Sequence, residues 1–278
     1  AYEKLEKLIG LGSAKEVMNN ALNYFKAQKL FADREMIAER PSMHMVFTGN
    51  PGTAKTTVAR LFAEIMRENG LLSNGDLYEV GRADIVGKYV GSTAPLVKEA
   101  FKRAKGGVLF IDEAYSLVDD RDGLFGDEAI NTIVQEMENH REDVVVIFAG
   151  YPDEMEKFLQ KNPGLRSRIA FHVPFEDYDA DELCKIAALI GKNKGISLED
   201  VALQKLGTIF ETARKQSDFG NGRYVRNVLE QAKMNQASRL LEYDFDDVTT
   251  EEITTIKAVD IVIPEEKIEE KRKIGFAC

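Results

Sequence analysis

A lysine and two hydroxyls, Lys55, Thr56 and Thr57, close a run that begins Gly49, Asn50, Pro51, Gly52, Thr53 and Ala54. A β-compatible apolar run precedes it and a helix-spaced pattern from Val58 to Met66 follows. In that setting backbone N–H groups and a helix N-terminus converge on phosphate, Lys55 reaches the β and γ oxygens, and the Thr56 hydroxyl can ligate Mg²⁺. Farther along, the apolar run Val108, Leu109, Phe110, Ile111 ends in two carboxylates, Asp112 and Glu113. Acids at the end of a parallel strand lie where α/β ligands bind. Asp112 suits a Mg²⁺ shell, directly or through water, and Glu113 suits a general base that polarises water attacking a γ-phosphate. Taken singly, the first run could be an ordinary strand–turn–helix connection and the second a solvated strand end; together they point to nucleoside triphosphate hydrolysis. One position departs from the pattern G-x-x-x-x-G-K-[ST], since Ala54 stands at the second glycine. If the loop needs only negative φ there, Ala54 is harmless; if it needs positive φ, nucleotide affinity falls.

Elements that could position these groups alternate through about residue 175. Val17, Met18, Ala21, Leu22 and Phe25 mark the apolar face of a first helix, with Ser13 to Glu16 forming a capping-box pattern at its start. Strands are expected at residues 43–47, 77–80, 108–111, 144–149 and 171–175, giving an α/β parallel sheet with helices on both faces. From Asp177 to about Tyr243 the pattern is helical, with turns at Lys194-Gly195 and Gly220-Asn221-Gly222. The expected domains are residues 1–175, a small α-helical lid at 176–245 and a charged tail at 246–278, hinged near residues 175–178. Within the tail, 259–263 reads as a strand and the mixed-charge run 265–273 as a solvated helix or disordered end.

The two motifs resemble those of the P-loop AAA+ ATPases. Further runs resemble the branch holding stage V sporulation protein K and the red-type Rubisco activases (CbbX/CfxQ-like): residues 8–11, 86–95, 110–115, 148–151, 162–170 and 220–227, within a likeness covering roughly 5 to 243. The resemblance implies ATP and Mg²⁺ as ligands, a homo-oligomeric and hexameric ring, and a protein substrate. It implies that Ile9, Gly10 and Leu11 pack on adenine, and that Arg168, with Arg166 second, is an arginine finger offered to a neighbouring subunit's γ-phosphate. It also makes Arg223 the sensor arginine of the lid, with Arg226 a weaker partner, and makes Lys88, Tyr89 and Val90 a pore loop that grips polypeptide. After the run 144–149 many AAA+ proteins carry an Asn or Thr that orients the attacking water; this chain reads Gly150, Tyr151, Pro152. The first-sensor position therefore lacks its usual polar residue, and a Tyr151 hydroxyl is the alternative.

Composition agrees with a globular cytoplasmic protein: 278 residues, 44% hydrophobic, 30% charged. There is no signal-peptide pattern, and no run approaches membrane-spanning length. Cys184 and Cys278 are far apart, which points to reduced thiols, and three scattered histidines have no metal-ligand spacing. A net charge of −10 makes nucleic acid an unlikely partner. The chain does not begin with Met, so it reads as processed or as part of a longer protein. The leading reading is an ATP-hydrolysing motor that remodels a protein substrate. The alternatives are a nucleotide-gated assembly scaffold with little turnover, motivated by Ala54 and the first-sensor position, and a DNA-directed AAA+ ATPase, which the acidic charge weakens.

Overall fold

The expected apolar runs become five parallel strands: β1 (His44–Gly49), β2 (Leu77–Val80), β3 (Val108–Ile111), β4 (Val145–Gly150) and β5 (Ile169–Phe175). They stand in the order β2-β3-β4-β1-β5, and Ile147 on β4 lies between Met45 of β1 and Phe110 of β3. The structure is a computed structural model and describes residues 1–34, 42–89, 91–118, 123–216, 219–242 and 248–262. Expected residues Val90 and 265–273 lie outside these.

Parallel pairing demands crossovers, and helices supply them. α1 (Tyr2–Glu6) and α2 (Gly12–Asp33) precede β1, and α3 (Lys55–Glu68) links β1 to β2. α4 (Arg82–Ile85) and α5 (Thr93–Arg103) lead to β3; a 3₁₀ turn (Ala114–Val118) and α6 (Gly123–Asn139) lead to β4; α7 (Pro152–Lys161) and α8 (Pro163–Arg166) lead to β5. Side chains alternate along a strand, so each central strand feeds two cores. Met45, Phe47, Val108, Phe110 and Ile147 pack with α2 and α3, whereas Val46, Leu109, Ile111, Val146 and Phe148 pack with α5, α6 and α7. Residues buried on both faces explain why these strands read as unbroken apolar runs.

Beyond β5 the chain forms the lid: α9 (Ala180–Asn193), β6 (Ser197–Leu198), α10 (Asp200–Ala213), α11 (Asn221–Leu240), α12 (Thr250–Thr254) and β7 (Thr255–Ile256). A reciprocal cap starts α9, where Asp179 Oδ1 accepts from Glu182 N at 2.7 Å and Glu182 Oε2 from Asp179 N at 2.9 Å.

Three local expectations change. Residues 248–262 are built into the lid and do not trail from it. β7 pairs with β6, Ile256 and Ile261 are buried, and Arg239 holds buried Asp260 with two bonds of 2.8 and 3.0 Å. A boundary at 245 therefore cuts a packed unit. Val259 belongs to a 3₁₀ turn (Ala258–Asp260), because the Asp260 carboxylate also accepts from Lys257 N and folds the segment back on itself. Ser13 is not a cap: α2 begins at Gly12 with Leu11 as its N-cap, and Ser13 Oγ donates to Glu176 at 3.0 Å.

His44 is the buried titratable group of the sheet. Its Nδ1 accepts from Val146 N at 3.0 Å, so the ring must be neutral to keep that bond. Burial pulls its pKa from 6.5 to about 4; a bond to the Met137 backbone opposes this, and the charges of Arg168 and Arg141 assist it. The unfolded chain therefore takes up the proton first as pH falls. Stability should be complete above pH 6.5 and fall by at most about 3 kcal/mol on the way to pH 4 from this residue alone. Urea unfolding at steps between pH 7 and 4 checks this. A His44→Asn variant should start about 1–3 kcal/mol less stable at pH 7 and lose less across the same interval, whereas a wild type with flat stability there would contradict a buried neutral ring.

Candidate nucleotide-binding site

The C-terminal ends of β1, β3 and β4 converge on a cleft of about 650 Å³ that the lid covers, within the roughly 300–1,000 Å³ usual for small-molecule sites. Its floor is the loop 49–57. Thr53 is fully buried and its hydroxyl holds the Asn50 carbonyl at 2.8 Å, which curls the loop. Lys55 Nζ donates to the Gly49 and Asn50 carbonyls at 2.7 and 2.8 Å. Burial lowers the Lys55 pKa and Arg223 adds to that, while Asp112, Asp177 and Glu113 favour its charged form. This is a desolvated cation set among acids, matched to a phosphate chain accompanied by a metal ion.

Asp112, Glu113 and Thr56 all line the cleft. Glu113 has φ 47, and its N–H is held by Asp112 Oδ1 at 3.0 Å. Tyr151 also lines the cleft, one residue past β4, with its ring centroid 5.9 Å from that of Tyr115. The Tyr115 hydroxyl is pushed up to about 12 by burial first and then by Glu113 and Tyr151, so it stays protonated beside the acids.

Lid and phosphate loop touch directly. Gly222 N donates to Gly52 O at 3.1 Å, and a Cβ on Gly52 (φ +74) would stand 2.3 Å from Gly220 O. Arg223 and Arg226 reach the cleft from the start of α11, and Ile186, Leu189 and Ile190 of α9 line it together with Leu8 and Ile9. That apolar lining suits a nucleotide base.

Not every expected residue lies there. Of the segment 9–11 only Ile9 lines the cleft. Gly10 (φ +62) lies where a Cβ would meet Glu182 at 2.4 Å, and Leu11 (φ 61) is buried in the core. Both shape the segment without facing the ligand space. Asn50 turns its side chain away to Asp177. Arg166 and Arg168 are absent from this chain's cleft; Arg168 donates to Gly164 O at 3.1 Å and its Nε is 3.4 Å from Glu138. Lys88 and Tyr89 are also elsewhere, on the loop between α4 and α5, where Tyr89 is 78% exposed. Ser92 and Thr93 tie that loop down, and Gly87 leaves no room for a Cβ against Ser92 Oγ, so its glycine serves close packing. Lys7, Tyr178 and Asn193 line the cleft although no motif marked them.

A family model for ATPases associated with various cellular activities (AAA) matches residues 45–177, and a model of an AAA lid domain matches 179–272. A protein CfxQ homolog of Pyropia yezoensis is 43% identical over 258 residues, covering 92% of this chain and 86% of that one. The chromosomal protein CbxX of Cupriavidus necator is 44% identical over 259 residues (92% and 81%). The chloroplastic ribulose bisphosphate carboxylase/oxygenase activase of Cyanidioschyzon merolae is 40% identical over 257 residues (92% and 88%). The AAA domain of FIGL-1 in complex with ADP superposes with a TM-score of 0.62 at 19% identity, over 91% of this chain and 80% of that one, which speaks to the fold. The fold and cleft are those of an AAA ATPase, a protein that binds and hydrolyses ATP. Within that family the chain belongs to the CbbX/CfxQ branch.

Ala54 answers the question posed by its sequence position, because it takes φ 66 and ψ 22. An alanine in that left-handed region is strained by about 1–2 kcal/mol. Ala54→Gly should raise thermal stability by releasing about 1 kcal/mol and should bind ATP equally or more tightly by titration. A tenfold loss of affinity would instead mean that the methyl group itself is required.

Proposed function

We propose that this ATPase is a ring-forming motor that uses hydrolysis to remodel a protein substrate, with inhibited Rubisco as that substrate. The observation that carries the enzymatic part is the meeting of Lys55, Thr56, Asp112, Glu113 and Arg223 around one cleft. The naming of the Cyanidioschyzon merolae relative as a carboxylase/oxygenase activase supports the substrate, and no site feature favours a sporulation role over it.

Thr56 and Asp112 offer the hard oxygen donors that suit Mg²⁺, which when bound would neutralise charge on the β and γ oxygens. Ile9 and the α9 face hold adenine. Asn50, Pro51, Gly52, Thr53, Ala54, Thr56 and Thr57 give the loop that wraps the phosphates, and Lys55 binds them directly. Glu113 takes the proton from the attacking water, and Arg223 clamps the γ-phosphate from the lid. Arg168, steadied by Glu138, enters a neighbouring subunit's cleft, with Arg166 the substitute. Exposed Tyr89, with Lys88 and Val90, contacts the polypeptide. Subunit contact at each cleft makes the ring, of six in this reading, a condition of turnover. A low-turnover scaffold is the second reading, favoured by the strained Ala54 and by Tyr151 at the first-sensor position.

The motor reading predicts specific activity that rises with protein concentration as rings form. Glu113→Gln should keep ATP bound and slow hydrolysis by about 10²–10⁴-fold. Lys55→Ala should lose ATP binding, and Arg168→Ala should bind ATP but hydrolyse it about 10³-fold more slowly, with recovery in mixed rings where an intact neighbour supplies the arginine. Slow turnover independent of concentration, indifferent to Glu113→Gln, would favour the scaffold. Co-purification of Rubisco with the ATP-loaded Glu113→Gln protein tests the substrate, and its absence would remove that assignment.

A further inference from the structure

Three segments distant in sequence meet at one carboxylate. Asp177, on the hinge between β5 and α9, accepts from Asn50 Nδ2 at Oδ1 (3.1 Å) and Oδ2 (2.9 Å). The same Oδ1 accepts from Asn221 Nδ2 at 2.7 Å. Asn50 belongs to the phosphate loop and Asn221 is the first residue of α11, two positions before Arg223. Asn221 is fully buried. Its amide nitrogen also faces Phe219 O (3.1 Å) and Pro51 O (3.4 Å), while its oxygen accepts from Tyr178 N (3.0 Å).

Residue chemistry at 221 is narrowly set. The backbone there has φ 46, which Asn tolerates better than most residues with a side chain. Gly would accept the backbone but lacks the amide; Asp would bring a second anion against Asp177 and no donor. A charged acceptor with two amide donors, one of them shared between both oxygens, makes stronger bonds than a neutral one, and a network whose members are all satisfied holds a single geometry. Beside it runs the Gly222 N to Gly52 O bond, where a Cβ on Gly52 would stand 2.3 Å from Gly220 O.

We infer that Asp177 and Asn221 are positioning residues that register Arg223 over the phosphates by tying the start of α11 to the phosphate loop through the hinge. A displacement of the loop on nucleotide exchange then moves the arginine with it, and the lid does not close independently. This inference rests on Arg223 facing the phosphates, as the preceding reading assigns.

A double-mutant cycle separates the two ideas. ATP affinity, kcat and KM are measured for the wild type and for Asp177→Ala, Arg223→Ala and the double variant, with ring assembly and thermal unfolding followed alongside. Asp177→Ala should lower kcat about tenfold, the loss expected when a transition-state contact is misplaced, with a smaller change in KM. In the Arg223→Ala background it should add less than about twofold, because coupled residues are not additive. Asp177→Asn, which keeps one acceptor oxygen for Asn221, should recover part of kcat. Asn221→Gly, which preserves the left-handed backbone, should reproduce the loss if Asp177→Ala misfolds. Equal losses in both backgrounds, or no loss in either Asp177→Ala or Asn221→Gly, would overturn the coupling while leaving Arg223 in place. An Arg223→Ala protein with full kcat would instead remove Arg223 from the site and the inference with it.

Discussion

The constraint on which this molecule turns is that a strand-end loop must offer its N–H groups to phosphate while a second lobe leans on it. Gly52 meets both demands at once. Its carbonyl receives the Gly222 N–H, its φ is positive, and Gly220 and Arg223 backbone atoms fill the space where a side chain would go. The residues that line the cleft are arranged around that contact. The parallel sheet brings Asp112 and Glu113 to the same edge as Lys55, and the lid brings Arg223 and Arg226 to the same cleft. A buried sheet covered on both faces gives the rigidity such placement needs.

Strain gathers at the same place. The non-glycine residues with positive φ among the described ones are Leu11, Ala54, Glu113 and Asn221. Each belongs to a different segment bordering the cleft: the N-terminal wall, the phosphate loop, the acidic strand end and the lid. Backbone conformations of this kind persist only where surrounding contacts over-determine them. Here the contacts are visible, from Asp112 Oδ1 on the Glu113 N–H to the four polar partners of the Asn221 side chain.

The sequence was most readable where one physical rule acted alone. The run 108–111 is β3 to the residue, since a strand buried on both faces leaves an unbroken apolar signature. Lys55, Thr56, Asp112 and Glu113 were recognisable by type and spacing and Arg223 through the family resemblance, and all line the cleft. What escaped depends on contacts between remote segments. Nothing local to Asp177 or Asn221 announces that they share a hydrogen bond, and at Ala54 the motif raised the question of a positive φ without deciding it. Residues 259–263 read as a strand by their apolar character, but the Asp260 carboxylate, held by Arg239 and capping its own turn, overrides that preference. Tail and lid looked separable because the mixed-charge run dominates the composition there, while Ile256 and Ile261 are the pair that packs.

The way the lid closes on itself bears on how the protein is made. Ser197 and Thr255 pair across 58 positions, and Gln236 waits for three carbonyls, of Glu252, Ile253 and Thr255, that follow it in the chain. The five strands of the sheet have all been made once Phe175 has left the ribosome, whereas the C-terminal half of α11 lacks its partners on β7 and the turn at Ala258–Asp260 until about Ile261 has emerged. During synthesis the sheet and the start of α11 thus emerge before the segment that closes the lid, and the nascent chain passes through a stage in which β6 still waits for β7. Every residue that lines the cleft precedes that last segment, so a nascent chain at that stage already carries the whole lining but not the pairing that closes the lid behind it.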